Sequence, residues 1–116
     1  MLKIMRINII VSLVFLGLLS AGNTPENLKV LKFESNREVI KLMKSISKDL
    51  GVKCKFCHDM KDKAKDTPHK EISRKFMLLV EQVNSDIMNW DKAPQITCWT
   101  CHRGKTHPET TRPKEE

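Results

Sequence analysis

The sequence contains no tyrosine and few aromatic side chains of any kind, with two Trp and four Phe in 116 residues. A chain so poor in large apolar groups has little material for a conventional core. Domains near this size commonly depend on covalent or cofactor staples. The scarcity of aromatics for base stacking, with no recognition motif, argues against a nucleic-acid partner despite a formal net charge of +7. Strand signals are also weak, since Gln95-Ile96-Thr97 is too short to count. No cysteine accompanies the small residues Ser20-Ala21-Gly22, which excludes a lipoprotein anchor there. The length admits at most one domain.

What is present begins with Lys3 and Arg6, a mostly apolar run from Ile7 to Leu19, and then Ser20-Ala21-Gly22 before the polar Asn23. This order predicts a signal peptide over 1–22, cleaved after Gly22. A retained membrane anchor is the competing reading. The run is shorter than the ~20 apolar residues of a spanning helix, and Asn8 interrupts its start. Export places the chain in the periplasm or on the outer face of the inner membrane, where stray thiols are oxidised. The chain stays basic without Lys3 and Arg6, which suits an acidic partner surface or an anionic membrane face.

Residues 23–34 read as a linker containing Pro25. Ser35 and Glu38 then form a capping-box pattern. Val39, Met43, Ile46 and Leu50 recur at helical spacing, and Gly51 follows as a left-handed C-cap, so a first helix is expected over Asn36–Leu50. A polar loop leads to Thr67-Pro68, an N-cap followed by proline at the first helical position. Ile72, Phe76, Leu79, Val83 and Ile87 make the stripe of a second helix that should end near Asn89. The fold class is mainly α, with a domain over 35–105 and a polar, extended or disordered tail over 106–116.

Each helix precedes the same motif, Cys54-Lys55-Phe56-Cys57-His58 and Cys98-Trp99-Thr100-Cys101-His102. Cys-x-x-Cys-His is the attachment signature of c-type haem. Two thiols reach two vinyl groups, and the adjacent His presents a nitrogen to iron as proximal ligand. Two copies behind a signal peptide, using all four cysteines, predict two covalent haems. A zinc ribbon has shorter spacing between its Cys pairs and leaves both His unexplained. Disulfides need no His, and a thioredoxin-like motif needs a βαβ context that is absent.

Distal ligands are less determined. Met43, eleven residues before Cys54, is either a core residue on its stripe or the first distal ligand, and ligation is compatible with the stripe. For the second iron, Met77 and Met88 lie on nearly one line of the second helix, and spacing does not choose between them. His69 and His107 are the spare imidazoles.

The chain is similar to the cytochrome c subunit of photosynthetic reaction centres. The matching residues are Met43 with Ser47-Lys48-Asp49-Leu50-Gly51-Val52-Lys53-Cys54, then Cys57-His58, Ser73-Arg74-Lys75-Phe76-Met77, Val83-Asn84 and Ile96-Thr97-Cys98-Trp99-Thr100-Cys101-His102-Arg103-Gly104. They span about Glu34 to Pro108. The resemblance implies that Met43 and Met77 are the distal ligands, Met77 being preferred because that family places its Met shortly before the Val83-Asn84 position. It also implies electron transfer to an oxidised partner. That family's subunit carries four haems, whereas four cysteines here support two, so the match is to half of that architecture. A photosynthetic role does not follow from it.

The expected function is outer-sphere electron transfer between exported or membrane-bound redox partners. Arg37, Lys41, Lys44 and Lys48 form a basic face on the first helix, either ordinary solvated surface or a dock for an acidic partner. The rivals are a haem enzyme with one five-coordinate iron, for which His69, His107 and Arg103 are the distal candidates, and an electron-wiring subunit of a larger membrane complex.

Overall fold

The structure, a computed structural model, describes residues 25–114. The expected signal peptide and its cleavage site lie outside the described residues. Among those residues there is no strand, and the architecture is helical.

Helix α1 spans Asn36–Leu50, the bounds expected from its caps and stripe. Ser35 Oγ accepts the Glu38 N–H at 3.4 Å and donates to the Glu38 carboxylate at 2.7 Å. At the other end Gly51 adopts φ +66°, and Val52 N–H returns to Ser47 O at 2.9 Å. These bonds satisfy carbonyls that a helix end leaves open. The Ser47 hydroxyl donates to the Val52 carbonyl, which fixes the exit toward Cys54.

The first motif begins in a 3₁₀ turn, Cys54–Phe56, and His58 N–H bonds Cys54 O at 2.9 Å. Helix α2, Pro68–Gln82, starts at an N-cap with two tasks. Thr67 Oγ1 accepts the Lys70 N–H at 3.2 Å and donates to Cys57 O at 2.5 Å, so the cap also pins the first motif.

The end of the second helix departs from expectation. The α-helix stops at Gln82 and continues as a single π turn, Val83–Ile87, instead of running regularly to near Asn89. The cause is visible in Asn84. Its amide donates to Ile96 O at 2.9 Å and accepts from Ile96 N–H at 2.8 Å. A side chain that holds both backbone groups of a distant residue imposes its own register, and π turns arise at such places. Met88 follows in a non-helical conformation.

The second motif is itself a short helix, α3, Cys98–His102. Thr97 N–H donates to Thr100 Oγ1 at 2.9 Å, and Thr100 N–H donates to Thr97 O at 3.0 Å. Helix α3 packs against α1 where two left-handed residues meet. Gly104 N–H bonds Asp49 O at 2.8 Å, and a Cβ on Gly51 would overlap the Gly104 carbonyl. Gly51 therefore needs both its positive φ and its missing side chain. Gly51→Ala is expected to cost at least ~1–3 kcal/mol from backbone strain alone, with the backbone overlap adding to it, read as a fall in the melting temperature of the haem-loaded protein.

The segment before α1 is tied to the loop after the first motif. Asn27 Nδ2 reaches Asp66 at 2.8 Å and Lys29 Nζ reaches it at 2.7 Å, while Arg74 bonds Asp66 at 2.8 Å. These donors, Lys29 first, hold the Asp66 carboxyl far below the usual carboxylate range. Lys29 and Asp66 are exposed, so that pair contributes little by itself, whereas the Arg74 side chain is nearly enclosed.

Candidate haem-attachment sites

No described residue is buried, and the apolar stripe of α2 shows the consequence. Ile72, Phe76 and Leu79 are each about half exposed. They do not face a protein core. Ile72 and Phe76 instead line one of two open clefts, both walled more by apolar than by polar surface.

The first cleft is lined by Cys57 and His58 of the first motif, by Met43 and Ile46 of α1, by Met77 of α2, by Leu28, Val30 and Leu31 of the N-terminal segment, and on its polar side by Lys70 and Arg74. The second is lined by Cys98 and His102, by Leu50 of α1, by Ile72, Phe76 and Met77 of α2, and by Phe56. Met77 thus lies on the wall between the two. Met88 lines neither cleft. Cys54 and Cys101 are exposed and do not line the clefts.

Both imidazoles are oriented in the same way. His58 Nδ1 lies 3.0 Å from Lys63 O, and His102 Nδ1 lies 2.9 Å from Lys105 O. A carbonyl only accepts, so each Nδ1 carries the hydrogen and each Nε2 keeps its lone pair for a metal. Phe76 meets the His102 ring edge-on, with centroids 6.5 Å apart. Burial pushes the Cys57 thiol up, opposed by a smaller effect of the Ser73 hydroxyl; burial, then the Asp49 carboxylate, pushes Cys98 up.

This donor set fits c-type haem: one Cys and the His of each Cys-x-x-Cys-His motif on one wall, the second Cys exposed beside it, a Met and apolar side chains on the others, and a free Nε2 lone pair. Among the described residues no cluster of three metal-binding side chains competes for a bare ion.

The spare histidines stand at the second cleft. His69 stacks on Phe56 with centroids 4.2 Å apart, and His107 lies with its Nδ1 3.1 Å from the Thr106 hydroxyl. Arg103 lines neither cleft and serves as the left-handed cap of α3. Of the basic face of α1, Arg37, Lys41 and Lys44 flank a shallow groove with Ile40, and Lys48 lies beyond it.

Several contributors were not singled out from the sequence. The carbonyls of Lys63 and Lys105 carry no side-chain signature. Leu28, Val30 and Leu31 do carry one, three apolar residues inside a segment read as linker.

A covalent haem protein of the cytochrome c class is what this combination of fold and motif defines. The comparison with known families agrees: residues 16–116 match the model of the photosynthetic reaction centre cytochrome c subunit, and the chain belongs to that family. The photosynthetic reaction center cytochrome c subunit of Thermochromatium tepidum is 33% identical over 92 residues, 77% of this chain and 23% of that protein. The subunit of the same name from Rubrivivax gelatinosus is 31% identical over 92 residues, 77% of this chain and 25% of that protein. Cytochrome c-554 of Chloroflexus aurantiacus is 33% identical over 82 residues, 66% of this chain and 20% of that protein. The chain therefore spans no more than a quarter of the length of these relatives.

Proposed function

We propose that this chain is a dihaem electron carrier, exported and operating between redox proteins at the outer face of the inner membrane. Cys54 and Cys57 hold the first haem, with His58 proximal and Met43 distal. Cys98 and Cys101 hold the second, with His102 proximal and Met77 distal. When bound, each haem supplies a one-electron iron couple, and Met ligation within an apolar site raises its potential.

The observation that carries this reading is the pairing of each motif with its own apolar cleft that a helical methionine also lines. The residues then act as fixed supports. Lys63 and Lys105 carbonyls orient the two imidazoles; Leu28, Val30 and Leu31 line the first site; Phe76 and Ile72 give the second an apolar wall. The charged side chains that also line the first site, Lys70 and Arg74, are engaged by loop carbonyls and by Asp66 and Glu71, which favours outer-sphere transfer over haem enzymology there. The names of the relatives support an acceptor within a membrane complex, and none of the described helices is long and apolar enough to cross a membrane. The basic groove of Arg37, Lys41 and Lys44 offers an acidic partner a docking surface whose attraction would weaken with salt.

The test is a pyridine haemochrome assay with optical spectra of the purified protein. Two haems per chain are expected, each with a thioether-to-iron band. Met77→Ala should abolish one of the two bands, whereas Met88→Ala should keep both. One haem per chain would sink the dihaem reading. Retention of both bands in Met77→Ala would overturn its ligand role, and a bis-imidazole spectrum there would point to His69 or His107. High-spin signals that respond to peroxide would favour the enzyme instead.

A further inference from the structure

Lys70, on the first turn of α2, is nearly enclosed, with its side chain 12% exposed. Its ammonium converges on three consecutive backbone carbonyls, Lys63 at 3.2 Å, Ala64 at 3.0 Å and Lys65 at 2.8 Å, with the Asp66 carboxylate at 3.9 Å. The Lys63 carbonyl is also the acceptor of the His58 Nδ1–H. One oxygen therefore serves both a cation and the imidazole that faces the first cleft.

The shared acceptor has two electronic consequences of the same sign. A cation bonded to the carbonyl withdraws electron density from it, so it pulls less on the Nδ1 proton and leaves Nε2 a weaker donor. The ammonium's own field opposes the extra positive charge of an oxidised iron nearby. The second motif lacks this arrangement. His102 Nδ1 donates to Lys105 O, the Lys105 ammonium turns away to Glu109 at 2.6 Å, and among the described residues no side-chain cation bonds that carbonyl.

We propose that Lys70 is a positioning residue that raises the reduction potential of the first haem and leaves the second untouched. The inference rests on the dihaem reading above and adds a residue that acts through His58.

Optically monitored redox titration of the holoprotein tests it, comparing the wild type with Lys70→Gln, Lys70→Met and Lys70→Arg. The first haem is assigned as the one whose potential falls in Met43→His. Lys70→Gln keeps hydrogen-bond donors for the loop and loses the charge. It should lower the reduced-to-oxidised ratio of the first haem roughly tenfold at fixed potential, a shift of about 59 mV for a one-electron couple. The second haem should hold its wild-type value, and Lys70→Arg should keep most of the first haem's. Should Lys70→Met fail to accumulate, the Gln and Arg variants carry the comparison. An unmoved first potential in Lys70→Gln, or equal movement of both haems, would show Lys70 to be a loop fastener and overturn the proposal. A wild type with fewer than two haems, or a Met43→His variant that shifts neither potential, would sink the underlying reading and the inference with it.

Discussion

Replacing Cys54, Cys57, Cys98 and Cys101 together by alanine is expected to yield a chain with no cooperative thermal transition. The native holoprotein should melt in a single sharp one. The expectation follows from burial. No described residue is buried, and the large apolar side chains of α2 stand half exposed, Ile72 and Phe76 along the second cleft. Burying one such side chain is worth roughly 1.5–3 kcal/mol, and without that burial little opposes the entropy of an ordered chain. Helices as short as α1 and α2 are marginal by themselves. Far-ultraviolet circular dichroism against temperature makes the comparison. A sharp transition in the cysteine-free chain would mean that the polypeptide supplies its own core.

Asn84→Leu is expected to destabilise the holoprotein by about 2–4 kcal/mol, the scale of leaving two backbone groups without partners. The variant keeps the side-chain size and strips both hydrogen bonds to Ile96. For a domain of this length, each kcal/mol lowers the melting temperature by roughly 4–8 °C. Asn84→Asp keeps the acceptor for Ile96 N–H and loses the donor, so it should fall between wild type and Asn84→Leu. Because Ile96 stands two residues before Cys98, the loss should also loosen the second motif, with faster exchange of its amide hydrogens. Equal stability of Asn84→Leu and wild type would assign the π turn to another cause.

Local chemistry carried much of the fold. Ser35 and Gly51 bounded α1, and Thr67-Pro68 opened α2, because caps are decided by residues within one turn of the chain. The close of α2 was not legible in the same way. Periodicity through Ile87 is indifferent to whether the backbone bonds are α or π, and the deciding contact comes from Ile96, twelve residues on. An Asn inside an apolar helical stretch was the available clue, since its amide competes for backbone partners. The helical form of the second motif was likewise unannounced, as it depends on the Thr97–Thr100 exchange.

The site was legible in its covalent part and less so in its walls. Cys-x-x-Cys-His states its chemistry in five consecutive residues. The carbonyls that orient His58 and His102 belong to loop geometry and leave no trace in side-chain identity. The resemblance prefers Met77 to Met88, and spacing in the sequence does not choose between them. Met77 lines both clefts, while Met88 sits past the π turn and lines neither.

The meeting of Gly51 with Gly104 has a consequence for timing. A ribosome delivers α1 long before residue 104 exists, yet the Asp49 carbonyl at the helix end finds its partner only in the Gly104 N–H. Contacts that join early and late parts of a chain form slowly, because the intervening loop must first be closed. The first motif therefore emerges into a half-built structure and stays accessible until the second motif arrives to seat against α1. The seam between the two glycines is thus what joins the early and late halves of the chain.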